Sequence, residues 1–141
     1  MSQMPIVRIR RTIWEYMMDA ILFWIYLLNS ILLINHEIES AYWQEWKLFK
    51  LPGGITGFLI IHFPILFLIL YGLIGVYSHT ITGLILSIML SMGGIFAFII
   101  HAYFLKKGKK GFNLVISRII LFLTLIISTF QMVVSIILLI R

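Results

Sequence analysis

The sequence predicts an all-α fold: an integral membrane four-helix bundle with a short interfacial amphipathic helix between the first and second spans. Three observations carry this. Of 141 residues, 62% are hydrophobic and only 11% are charged, whereas an ordinary soluble domain is about 45–50% apolar and about 25% charged. Mean hydropathy is +1.09. No Asp, Glu, Lys or Arg occurs from Leu51 to Leu105, and none from Ile119 to Ile140. A 16.4 kDa chain is too small to hide such stretches in a globular interior. They read as bilayer spans of about 20 residues each, which excludes a water-soluble domain.

The elements follow in order as one transmembrane domain over residues 1–141, with spans at about 17–36, 55–77, 81–104 and 114–140. Each is long enough for a hydrocarbon core about 30 Å thick. The first span is expected to be retained, because Asn35-His36-Glu37 follows it where a signal peptide would carry a small-residue cleavage site. Between the first and second spans, Tyr42, Trp46 and Phe49 recur at helical spacing within residues 39–50. That pattern predicts an amphipathic helix lying among the headgroups, where Trp and Tyr are favoured. Leu51-Pro52-Gly53-Gly54 breaks the chain before the second span, and Ser78-His79-Thr80 is a minimal turn before the third. Gly108 and Gly111 bracket a Lys-rich loop before the fourth.

Net charge is +6 and cysteine is absent. There is therefore no disulfide framework and no thiolate chemistry. The basic residues cluster at Arg8, Arg10 and Arg11, at Lys47 and Lys50, and at Lys106, Lys107, Lys109 and Lys110, with Arg118 and Arg141 besides. Flanking apolar spans, they suit anionic lipid headgroups rather than nucleic acid. Four spans put both termini on one face, side A, and the 39–50 segment and the Lys-rich loop on the other, side B. Six lysines on side B favour it as cytoplasmic, while three Arg before the first span and Glu37, Glu39 and Glu45 after it argue the reverse. Orientation stays open.

The few polar residues fall in stripes. Glu15, Asp19, Tyr26, Asn29 and His36 follow one face of the first helix, with Leu22 and Leu33 between them. The fourth repeats this with Ser117, Thr124, Ser128, Gln131 and Ser135, and the third with Gly83, Ser87, Ser91, Gly94 and His101. The second offers His62 and a Gly72-x-x-Gly75 patch. Polar atoms in hydrocarbon need partners, and small residues let helices approach, so these stripes are expected to face inward. Asp19 is an intramembrane carboxylate, and such groups mark function as a default.

Counting along the spans collects ionisable residues near side B. His36 ends the first helix, His62 lies seven residues into the second, His101 is near the end of the third, and Arg118 is about one turn into the fourth. At about 1.5 Å per residue they share a depth window of roughly 10 Å. His36 and Glu39 are neighbours on one helical face. Three imidazoles and a carboxylate (His36, Glu39, His62 and His101) are the candidate metal ligands, suited to zinc or iron. Glu37 and Glu45 are the candidate catalytic acid–base groups for attack on an ester, amide or phosphate of a lipid-like substrate. Arg118 and Asn29 are the candidate substrate-binding residues, Arg118 as a fork for an anionic headgroup. Pro64 is expected to free a carbonyl near Ile60 and kink the helix beside His62.

Asn35-His36-Glu37-Ile38-Glu39, then Glu45-Trp46 ahead of Pro52-Gly53, resembles a group of small uncharacterised bacterial membrane proteins over about residues 35–54. The resemblance implies a multi-pass protein of the bacterial inner membrane and supplies no established reaction. A further likeness is to bacterial membrane domains with a His-x-x-Glu-Glu signature and suspected metal binding. Ser40 stands here where their second Glu would be. In size and hydropathy alone the chain is similar to small multidrug resistance transporters, which would make Asp19 or Glu15 the proton-coupled carboxylate.

Three readings therefore compete. A metal-dependent enzyme on a lipid-like substrate requires imidazoles converging on one point; donors farther apart than about 8 Å cannot share an ion with bonds near 2.1 Å. A small proton-coupled transporter requires a path joining Asp19 to Asn29. A non-catalytic membrane subunit, or a homo-oligomer, requires scattered histidines and an exposed patch for a partner helix, with Gly72-x-x-Gly75 as the candidate.

Overall fold

Four helices, each long and apolar enough to cross a bilayer, make up the computed structural model, which describes residues 13–108 and 114–140. They are α1 (Ile13–Tyr42), α2 (Gly54–Tyr77), α3 (Ile81–Lys106) and α4 (Val115–Leu139). No strand occurs among the described residues. Arg8, Arg10, Arg11, Lys109, Lys110, Gly111 and Arg141, on which the sidedness argument draws, lie outside the described residues. The first helix is longer than its apolar run, since nothing between His36 and Tyr42 breaks helical geometry. Its 30 residues rise about 45 Å.

The stripes do turn inward. Buried on α1 are Leu22, Tyr26, Asn29, Ser30, Leu33, His36 and Ser40. On α4 the buried set includes Ser117, Leu121, Thr124, Ser128, Gln131 and Ser135, and on α3 it includes Gly83, Ser87, Ser91, Gly94 and His101. The large apolar side chains elsewhere, such as Phe63, Ile74, Phe122 and Phe130, face outward, where lipid is the natural solvent.

A hydrogen-bonded seam ties three of the helices together. Asn29 on α1 donates to Ser128 Oγ at 3.0 Å and to Gln131 Oε1 at 2.8 Å on α4. Gln131 in turn donates to the Ser87 Oγ of α3 at 2.8 Å and to its carbonyl at 3.1 Å. Ser87 and Ser135 share a bond of 2.8 Å. Asn29, Gln131, Ser87 and Ser135 are all 0% exposed. With no water to compete, each partner is needed.

The second helix is held by close approach instead. A Cβ on Gly72 would lie 2.1 Å from Tyr26 Oη, and one on Gly83 would lie 2.2 Å from the Gly75 backbone. Tyr26 also donates to the Ile69 carbonyl at 2.8 Å. The Gly72-x-x-Gly75 patch is therefore consumed inside the chain, against α1 and α3, and is not a free surface for another helix. Thr80 locks the turn, accepting from Gly83 N at 3.1 Å and donating to the Gly75 carbonyl at 3.0 Å.

The 39–50 segment departs from its predicted form. Residues up to Tyr42 continue α1, and the remainder folds as a 3-10 turn over Glu45–Lys47. Gln44 takes left-handed backbone angles, φ 56° and ψ 46°, which ends the helix. Tyr42 stays 75% exposed while Trp46 is 9% exposed, so the aromatic residues do not share a face. Trp46 turns into the bundle and packs on Phe58, ring centroids 5.5 Å apart. There is no interfacial amphipathic helix here.

Replacing Gln131 by Leu deletes both the acceptor for Asn29 and the donor to Ser87. Gln131→Leu is expected to cost about 1–3 kcal/mol for the unpaired groups left behind, read as a lower unfolding temperature in detergent.

Candidate functional site

Near the C-terminal end of α1, the turn at Gln44 folds the chain back so that Glu45 enters the bundle beside α3. His101 Nε2 and Glu45 Oε1 are 2.9 Å apart. His36 packs edge-on to His101, with ring centroids 4.5 Å apart. One ligand atom from each of His36, Glu45 and His101 lies within 4.8 Å of the others. All three residues are buried.

The protonation pattern of His101 follows from its neighbours. Its Nδ1 meets the Ala97 carbonyl at 2.8 Å, and a carbonyl only accepts, so Nδ1 carries the hydrogen. The other nitrogen, Nε2, is thereby aimed at Glu45. Metal-binding imidazoles are commonly oriented this way, with the ring N–H held by a carbonyl and the opposite lone pair on the ion. His36 Nδ1 is buried without a hydrogen-bond partner among the described residues. In hydrocarbon such an orphan is costly, and an ion or ordered water at this point would relieve the cluster.

A second pair stands beside the first. His62 Nδ1 donates to the Phe58 carbonyl at 2.7 Å, and Nε2 lies 2.7 Å from Glu37 Oε2. The His62 ring stacks on Phe58 with centroids 3.7 Å apart. Pro64, inside α2, has no N–H to offer the Ile60 carbonyl. The same device thus appears twice: an imidazole held by the carbonyl four residues back, with its Nε2 toward a glutamate of another element.

Both pairs line a cavity of about 470 Å³. Its walls come from α1, the 3-10 turn region, α2 and α3, and are apolar apart from His36, Glu37, Glu45, His62, His101 and the Tyr26 hydroxyl. The four residues expected to share an ion do not form one group. His36 and His101 come together with Glu45, while His62 pairs with Glu37. Glu39 accepts from Ser117 of α4, because its place three residues beyond His36 points it to that helix. Asn29 belongs to the buried seam and Arg118 to the start of α4; neither lines the cavity.

At side A, Asp19 lies 3.2 Å from His79. Between Asp19 and Asn29 the inward face of α1 is filled by Leu22 and Tyr26, at 1% and 0% exposure.

Sequence spacing did not point to Glu45 as a partner of His36 and His101. The available signal was connection length: neighbouring packed helices are only about 10 Å apart, so the residues between Tyr42 and Gly54 exceed what a bridge needs. Spare chain carrying Glu45-Trp46 beside a histidine cluster is a candidate to fold inward.

A family model described as "Family of unknown function (DUF6713)" matches residues 22–138. Comparison with curated proteins finds no match, and comparison with solved structures finds none either.

The left-handed turn is what delivers Glu45, and this is open to test. Gln44→Gly is expected to hold the fold, because glycine adopts φ of 56° freely. Gln44→Val is expected to cost about 1–2 kcal/mol and to release Trp46 from Phe58. Emission from a variant with Trp46 as its sole tryptophan should shift to the red in the Val form only.

Proposed function

The chain belongs to that family of unknown function, and for it we propose a metal-dependent enzyme of the bacterial inner membrane that hydrolyses a lipid-like substrate. The observation that carries the reading is the convergence of His36, Glu45 and His101, with ligand atoms within 4.8 Å of one another, at the wall of an apolar cavity. Two imidazoles and one carboxylate are a donor set of catalytic zinc sites, which keep a further position open. The unpartnered nitrogen of His36 suits the same assignment.

A zinc ion held there supplies Lewis-acid polarisation of a carbonyl or phosphoryl oxygen and activation of water. The remaining roles fall to the chain. The Ala97 carbonyl fixes the His101 ring, and the 3-10 turn holds Glu45 against it. The His62–Glu37 pair holds a proton at the cavity wall. In hydrolysis the water oxygen would bond to the acyl or phosphoryl centre and give up a proton to the His62–Glu37 pair, the ester bond would break, and that pair would return the proton to the departing oxygen. Trp46 and Phe58 close the polar end against bulk water.

Elemental analysis of protein purified in mild detergent tests this. About one zinc per chain is expected, lost in Glu45→Gln and in His101→Ala and retained in His62→Ala. Acidification should strip the ion, since imidazole binds metal only when neutral. A metal-free wild-type protein, or metal retained in both ligand variants, overturns the centre. Iron at the same stoichiometry keeps the centre and overturns the hydrolytic role, because two His and one carboxylate also serve iron(II) oxygenases.

A further inference from the structure

The cavity has a direction as well as a volume. On α3 its lining runs from Leu86 to His101, a rise of about 22 Å. Half of a hydrocarbon core is about 15 Å, so the space reaches through at least one leaflet. All of its histidine and glutamate lining lies toward side B, beyond the levels of Leu33 on α1 and Ile65 on α2. The deep end is apolar and is closed by Tyr26, whose hydroxyl is spent on the Ile69 carbonyl.

It also opens sideways. Ile61, Ile65 and Leu68 on α2 line the cavity and face outward, and so do Met89 and Phe96 on α3. Each set follows one helical edge, so two parallel lips border a slot between α2 and α3. Between Met89 and Phe96 stands Gly93, with nothing within 4 Å of the Cβ it would carry. Its neighbour Gly94 is the opposite case: a Cβ there would lie 2.1 Å from Ser128 Oγ. Gly94 serves packing. A side chain at Gly93 would meet nothing in the chain and would stand in the slot.

We propose that this slot is the binding groove for one acyl chain of a membrane phospholipid, kept open by Gly93, with the ester end of the chain at His36, Glu45 and His101. The inference rests on the enzymatic reading for what happens at the polar end, and stands on the groove for what is bound. A phospholipid is the occupant because the slot faces the hydrocarbon. The donor cluster lies only about 7–9 Å below the side-B ends of α1 and α3, where acyl chains meet their headgroups. No water-borne ligand needs an apolar channel one leaflet long that opens to lipid.

The test uses the full chain in lipid nanodiscs carrying a trace of phosphatidylglycerol with a diazirine on one acyl chain. After photolysis, peptides are mapped by mass spectrometry. Label is expected on Leu33, Ile69 and Leu90, which are buried and beyond the reach of lipid merely surrounding the bundle. Gly93→Phe should cut that label at least fivefold, leave labelling of outward-facing Phe130 unchanged, and retain the wild-type unfolding temperature. Label confined to outward-facing residues, or undiminished in a folded Gly93→Phe, overturns the groove. Wild-type labelling decides the matter even where the variant fails to fold. Metal content measured on the same samples separates the two readings: a metal-free protein still labelled at Leu90 keeps the groove and removes the enzyme. A metal-bearing protein unlabelled there does the converse.

Discussion

Everything in this bundle depends on the requirement that a polar atom within hydrocarbon find its partner inside the protein. The seam from Asn29 through Gln131 to Ser87 and Ser135 meets that requirement by joining α1, α4 and α3. Lipid tails are as apolar as leucine, so burying leucine gives helices little reason to prefer each other over the bilayer. Directional bonds and close packing must do it. Gln131 of α4 is the shared node, bonded to Asn29 of α1 and to Ser87 of α3, so the three helices are fixed in rotation as well as in distance.

The second helix is joined under different rules. Its polar contribution to the core is backbone, through the Ile69 carbonyl, and its nearest approaches are made by Gly72 and Gly75. These contacts lie toward side A. Toward side B, α2 is held by Trp46 on Phe58 and by the His62–Glu37 pair, with the cavity between it and α3. The helices α1, α3 and α4 form a bonded frame, and α2 closes one wall of the cavity. The bonded seam and the cavity are thereby assigned to different parts of one short chain.

How much of this was legible in the sequence follows the same division. The inward faces of α1, α3 and α4 were readable because polar and small residues repeat at helical spacing against an apolar background. The shared depth of His36 and His101 was readable because rise per residue is constant. Rotation of α2 was not: nearly all its side chains are apolar, so no stripe says which way His62 points or what Gly72 and Gly75 meet. The expected interfacial helix failed for a related reason. Spacing of Tyr42, Trp46 and Phe49 describes a helix only if the backbone stays helical, and the left-handed Gln44 cancels it. Glu45 reaches His101 across 56 positions of sequence, through a turn with no period to read.

The adjacency of Gly93 and Gly94 has a mechanical corollary. Successive residues on a helix point about 100° apart, so α3 carries its locked surface and its lining surface one step from each other. Turning α3 by a single residue would carry Gly94 off Ser128 and drag the serines out of register, so screw-like motion is denied to this helix. The lining surface, by contrast, carries no bond of the seam, so a side chain can be added at Gly93 without touching the contacts that set the register of α3. One residue step on α3 thus separates a position where a single added methyl group would collide with α4 from one where it would meet nothing.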